Sequence, residues 1–309
     1  MRNGSLAILV VLVAGLVITV GVAMAPSFPP PPSEGPLSVV AAENFWGSIA
    51  AQLGGERVHV LSLVSDPNAD PHEFESNTTD AVAIADARLV IENGAGYDTW
   101  FSHLVAAGGN PSQRVVDVGS VVGVSAGGNP HFWYSLIYVN ATAAAVYSAL
   151  VGLDPGGQTY YAHQFAALNV SLSELGGKLS RLHSEFPGAP VAATESIFVY
   201  LAASAGLDLV SPPEFMDAVS EGVEPPAQSV ATFENQLTGG AVDVMAYNSQ
   251  TQTPLTQQMQ SLASSHGVPI VAITETIQPP DATYQAWMGA QLDSLSAALE
   301  SHPGARGIA

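Results

Sequence analysis

The 309-residue chain contains no cysteine. Disulfides, thiolate metal ligands and a lipid-modified cysteine are therefore excluded, and any bound metal would be held by nitrogen and oxygen. Basic residues are scarce: seven Lys and Arg stand against 27 Asp and Glu, a formal net charge of −20 with histidine neutral. Nucleic-acid binding needs clustered Lys and Arg to neutralise phosphates, and this composition argues against it. So acidic a surface is compatible with attracting cations, and equally with adaptation to a saline or acidic medium. What the chain has in quantity is apolar residues (47%) and glycine (29 residues), the composition of a globular protein with many turns. Its length favours two lobes over one.

The first residues carry an address. No charged residue occurs from Leu6 to Ala25, and the Pro-rich PSFPPPPSEGP follows. Ala23-Met24-Ala25 resembles a small-residue cleavage site, yet about 20 apolar residues exceed a usual signal core and nearly match a membrane span. Residues 1–25 are read as a signal peptide or N-terminal membrane anchor. Residues 26–36 are then a stiff linker that holds the folded part off the bilayer.

From Leu37 onward short apolar runs alternate with helical patterns, the signal for βαβ units and parallel sheets. LSVVA, RVHVLSLV, RLVIEN and RVVDV predict four strands in a first lobe, residues 37–150. PVAAT, LDLVS, VDVMAY and VPIVAIT predict four more in a second lobe, residues 188–309. Between them, within residues 151–187, Tyr161, Phe165, Leu168, Leu172, Leu175, Leu179 and Leu182 form one apolar stripe at spacings of four and three. Such a stripe suits a coiled-coil seam or a strut buried against both lobes; at 1.5 Å per residue its 22 residues span roughly 33 Å. The expected fold is α/β: two lobes, each a mostly parallel sheet flanked by helices, bridged by one long helix.

Four side chains with metal-binding chemistry end apolar, strand-like runs: His72 in DPHEFE, His131 in NPHFW, Glu195 in VAATESIF and Glu275 in IVAITETI. Both histidines follow a proline, which fixes the preceding backbone. Glu195 precedes a helical pattern, where a carboxylate is also explained as a helix cap, and Glu275 is read as repeating that situation. Two neutral imidazoles and two carboxylates would neutralise a divalent ion, which would in turn relieve the repulsion between the two anions. The remaining histidines are read as ordinary surface or core residues, and the Gly-rich NGAGYDTW lacks the spacing of a phosphate loop.

At these residues the chain resembles the metal-binding solute receptors of ABC importers, the zinc and manganese periplasmic binding proteins. SDPNADPHEFESNTTD is similar to the motif of the first ligand, His72, and ENGAGYDTW to the strand-turn that follows it. NPHFW is similar to the second motif, with His131, and TESIFVYLA and TETIQPPDATYQAWM to the third and fourth, with Glu195 and Glu275. The resemblance runs over roughly residues 37–300 and implies an extracytoplasmic monomer, which agrees with export and tethering through the N-terminal segment. Such a protein carries one divalent transition metal ion, Zn or Mn, as cargo to a permease and catalyses nothing. Two departures stand out. Trp133-Tyr134-Ser135-Leu136 replaces the family's helix-starting carboxylate, and the fourth ligand, commonly Asp, is Glu275. The rivals are a secreted metallohydrolase, for which no HExxH motif exists, and a receptor or adhesin for an organic chelate.

Overall fold

The computed structural model describes residues 35–67, 71, 74–108 and 110–302. The N-terminal anchor or signal segment and His72 lie outside the described residues. The first lobe runs β1 (Leu37–Glu43), α1 (Asn44–Gly54), β2 (Val58–Val64), α2 (Thr78–Asp86), β3 (Leu89–Glu92), α3 (Thr99–Gly108), β4 (Arg114–Asp117), α4 (Val118–Val122) and α5 (Leu136–Leu153). The long helix α6 (Gln158–Glu185) follows. The second lobe runs β5 (Pro190–Ala193), α7 (Val199–Ser204), β6 (Asp208–Leu209), α8 (Pro213–Ser220), α9 (Ala227–Thr238), β7 (Val244–Asn248), α10 (Pro254–Ser265), β8 (Ile270–Ile273) and α11 (Tyr284–Ser301). All eight expected strands are present.

Each lobe holds one four-stranded sheet, ordered β2-β1-β3-β4 and β6-β5-β7-β8. Every pairing is parallel. The two sheets thus share one topology, and in both the order reverses at the first strand. The physical signature of a parallel sheet covered on both sides is a strand apolar throughout. β3 is buried at all four positions and β5 at three of four, whereas edge strand β8 alternates exposed and buried. In open α/β sheets the loops beyond the carboxyl ends of the strands form the binding crevice. Here the strand ends and the loops beyond them carry Glu92 to Asp98 in the first lobe and Glu195, Asn248 and Glu275 in the second.

The apolar stripe of α6 is a strut between the lobes. Tyr161, Leu168, Leu172, Leu175, Leu179 and Leu182 are buried, and Phe165 is half-buried against Tyr147 of α5 with rings stacked 5.0 Å apart. At 28 residues the helix extends about 42 Å, longer than the stripe implied. Its N-terminus is tied to the first lobe by Tyr161, which donates to Asp154 at 2.9 Å, while Arg57 pairs with the same carboxylate at 2.6 Å. Further along, Lys178 pairs with Asp293 of α11. One hydrophobic core runs without a break from β1 and α1 through α5 and α6 to β5, β8 and α11. Buried polar bonds cross between the lobes as well: Tyr134 donates to the Thr274 carbonyl at 2.8 Å, and Tyr284 to the Trp133 carbonyl at 2.6 Å.

Leu172→Ala is expected to destabilise the protein by about 2–5 kcal/mol, because the removed methyl groups leave a cavity in the shared core. Val170→Ala, on the exposed side of the same helix (63% exposed), is expected to change stability by no more than about 0.5 kcal/mol. Denaturant unfolding of the two variants checks the contrast; equal effects would mean that α6 is not buried on its leucine face.

Candidate metal centre

His131, Glu195 and Glu275 have no solvent exposure. Glu195 follows β5 in extended conformation, immediately before a short 3-10 turn at Ser196–Phe198, and its side chain makes no capping bond. Its Oε2 accepts instead from Nδ2 of Asn248, the last residue of β7, at 3.1 Å. Glu275 departs from the expected repeat of that arrangement, because no helix follows it. Pro279 and Pro280 intervene, and α11 begins only at Tyr284, capped by the Thr283 hydroxyl. A proline lacks an amide hydrogen and restricts the residue before it, so a helix cannot be carried through this pair. The Glu275 backbone is held by Gln250, whose Oε1 accepts from the amides of Glu275 and Thr276 at 2.7 and 3.0 Å. Its carboxylate accepts on both oxygens: Oε1 from Asn248 Nδ2 at 2.6 Å and Oε2 from the Tyr97 hydroxyl at 2.5 Å.

His131 enters from the first lobe, in the segment between α4 and α5. Its Nδ1 lies 2.7 Å from Oδ1 of Asn129. The orientation of that amide is set by its other end, where Nδ2 donates to the Ser196 carbonyl at 2.7 Å. Oδ1 must therefore accept and Nδ1 carries a proton, so that the neutral ring would present its lone pair at Nε2, one of the two tautomers in which histidine binds metals. Tyr200 of α7 donates to the Asn129 carbonyl at 2.9 Å, so the histidine loop is pinned to the residues just beyond Glu195. Asn248 thus joins the two glutamates directly, while His131 is connected to them through Asn129 and Tyr97. Among the described residues, no group of three or more His, Cys, Asp and Glu could by itself hold a metal ion. Sequence reasoning missed Tyr97, Asn129 and Asn248, all of which touch the sequence-derived residues. Asn248 had a faint signal, a polar residue terminating the apolar run VMAY at the crevice edge.

A family model described as the periplasmic component A of the zinc-uptake complex matches residues 39–298. The chain belongs to that family. Within reach of this family's sequences, the manganese-binding lipoprotein MntA of Halalkalibacterium halodurans is 27% identical over 185 residues, 56% of this chain and 59% of MntA. The iron-binding protein YfeA of Yersinia pestis is 30% identical over 190 residues, 54% of this chain and 56% of YfeA. The chain spans little more than half the length of these curated relatives. Among solved structures, the periplasmic zinc-binding protein TroA of Treponema pallidum superposes with a TM-score of 0.73 at 18% identity, covering 86% of this chain and 99% of TroA. That likeness is one of fold.

Three carboxyl groups, Glu43, Glu92 and Asp98, lie at the crevice end of the first sheet. Asp98 accepts from the amides of Asn93 and Gly94 at 2.6 and 2.8 Å, which closes the turn that carries Tyr97. Burial nevertheless pushes its carboxyl up to about 7. Glu43, 1% exposed at the end of β1, is raised well above the usual carboxylate range by burial first and then by the neighbouring Asp98 and Glu92. The two carboxyls thus raise each other's affinity for a proton. Both groups hold protons more tightly folded than unfolded, so the stability they contribute is complete below about pH 4 and falls as pH rises, for Asp98 through about 7. Glu43→Gln keeps a donor toward Asp98 without the titration. The variant is expected to lose less stability than the parent between pH 5 and pH 8 in denaturant unfolding; parallel losses would show that Glu43 is ionised throughout.

Proposed function

We propose that this protein is an extracytoplasmic solute receptor that captures one divalent transition metal ion, Zn or Mn, and hands it to the permease of an ABC importer. The observation that carries this reading is the pair of fully buried carboxylates, Glu195 and Glu275, held on one Asn248 amide. Burying anions so close together costs several kcal/mol per ion unless positive charge or hydrogen bonds compensate. A dication supplies that compensation, and His131 contributes a neutral nitrogen whose lone pair the Asn129 bond leaves on Nε2. His72, from the segment after β2, completes a set of two imidazoles and two carboxylates. Such a set binds Zn more tightly than Mn by intrinsic affinity, so supply and geometry would decide the cargo. The names of relatives, which specify manganese, iron and zinc, support the class of ligand.

The approach to the centre agrees with a cation. A cleft of about 1220 Å³ reaches Tyr97 and His131 between the lobes; among the described residues its walls include Asp217 and Glu221 and no Lys or Arg. This lining attracts hydrated cations and disfavours an anionic organic chelate. The receptor acts as a monomer, without catalysis, tethered outside the cytoplasm by its N-terminal segment. Because α6 and the continuous core couple both lobes, metal capture involves small lobe movements, and release is triggered by contact with the permease.

Elemental analysis of the purified full chain, with competition among Mn, Zn and Fe, tests the reading. One equivalent of ion is expected, and His131→Ala is expected to weaken binding by more than the roughly 10–100-fold that loss of an outer partner costs, with its circular dichroism unchanged. A parent chain that takes up none of the three ions would sink the proposal.

A further inference from the structure

Three Asn-X-Ser/Thr tripeptides occur in the chain: Asn77-Thr78-Thr79, Asn140-Ala141-Thr142 and Asn169-Val170-Ser171. Such a tripeptide accepts N-linked sugar in an exported protein when the asparagine amide and the third-position hydroxyl are both reachable at the surface. The fold separates the three. Asn140 lies inside α5, where its Nδ2 donates to the Leu136 carbonyl at 2.7 Å. Thr142 is fully buried, with its hydroxyl on the Tyr138 carbonyl at 2.9 Å. Asn169 lies half-buried inside α6, and the Ser171 hydroxyl donates to the Leu168 carbonyl and accepts from Gln285 of α11, both at 2.8 Å. Presenting either tripeptide to an enzyme would mean opening the middle of a long packed helix, which costs a large share of the global stability.

Asn77 differs on every count. It is exposed, in extended backbone (φ −122°, ψ 178°) just before α2, and Thr78 and Thr79 are exposed as well. Its Oδ1 is engaged, accepting from the amides of Thr79 and Asp80 at 2.8 and 3.3 Å, while Asp80 accepts from the Asn77 amide at 2.8 Å. Its Nδ2 and the Thr79 hydroxyl, in contrast, have no partner among the described residues. We propose that Asn77 is a glycosylation site, modified on Nδ2 outside the cytoplasm by an oligosaccharide carried on a lipid phosphate. In the transfer Nδ2 bonds to the anomeric carbon of the first sugar, the bond from that carbon to the phosphate oxygen breaks, and an amide proton goes to the departing lipid phosphate. The product nitrogen is still an amide, so Oδ1 keeps its lone pairs and continues to cap α2. The first turn of a short helix also frays at little cost, which lets this tripeptide enter an enzyme without disturbing the core. The inference needs the extracytoplasmic location proposed above and not the metal centre.

The test is made on the full-length protein purified from the membranes of the organism that encodes it, by intact mass and by fragmentation of its peptides. The peptide containing Asn77 is expected to carry sugar, and those containing Asn140 and Asn169 to be bare. Two variants expressed in the same organism separate acceptor chemistry from folding. Asn77→Asp keeps a capping oxygen on α2, and Thr79→Ala keeps the Asn77 cap itself. Each is expected to lose the sugar completely, with circular dichroism unchanged. An unmodified Asn77 in the parent, sugar on Asn140 or Asn169, or sugar that persists in Thr79→Ala would overturn the inference. Metal uptake tests the receptor reading separately, and that reading survives any of these results.

Discussion

Two carboxylates that are both fully withdrawn from water cannot share a crevice without something between them. In this protein that something is the Asn248 amide, which reaches Glu195 and Glu275 at 3.1 and 2.6 Å. Much of the neighbouring structure is arranged around this constraint. Gln250 holds the Glu275 backbone, Tyr97 crosses from the other lobe to its second oxygen, and Asn129 fixes the His131 tautomer while bonding the Ser196 carbonyl next to Glu195. Polar networks inside a protein are costly when only partly satisfied, and here the bonds run through both lobes. The same residues that compensate the anions therefore also set the register of one lobe against the other.

The fold makes this possible by repeating itself. Both sheets have the same strand order and the same parallel sense, so each offers its crevice loops at the carboxyl ends of its strands. The long α6 and the unbroken core hold the two crevices face to face. A chain assembled this way resists wide opening, because separating the lobes would expose the leucine face of α6 and break the buried bonds of Tyr134 and Tyr284. The buried Glu43 and Asp98 carboxyls sit beneath the Tyr97 turn, where burial raises the affinity of both for a proton.

Sequence periodicity carried the architecture well. The stripe from Tyr161 to Leu182 marked the bridging helix because a buried helical face repeats every three to four residues, and the apolar runs marked each strand because a doubly covered parallel strand has no polar side. The ends of those runs also pointed to His131, Glu195 and Glu275. The reading failed where local pattern was outvoted. TETI looked like a second TESI, but Pro279 and Pro280 keep the chain after Glu275 out of a helix. NGAGYDTW reads as a strand-turn without the spacing of a phosphate loop, and nothing in its pattern says that Tyr97 meets a residue 178 positions away.

What the sequence by itself determined is the inventory: no thiolate, few cations, eight apolar strands, one long amphipathic helix, and imidazole and carboxylate donors at strand ends. These follow from composition and from short-range periodicity, which every window of the chain displays on its own. Only the tertiary structure decided how the donors are held, with Asn248 between two glutamates, Asn129 behind His131 and Tyr97 across the cleft. Hydrogen bonds over 2.5 to 3.1 Å depend on where distant segments come to rest, and that placement is a property of the packed lobes together.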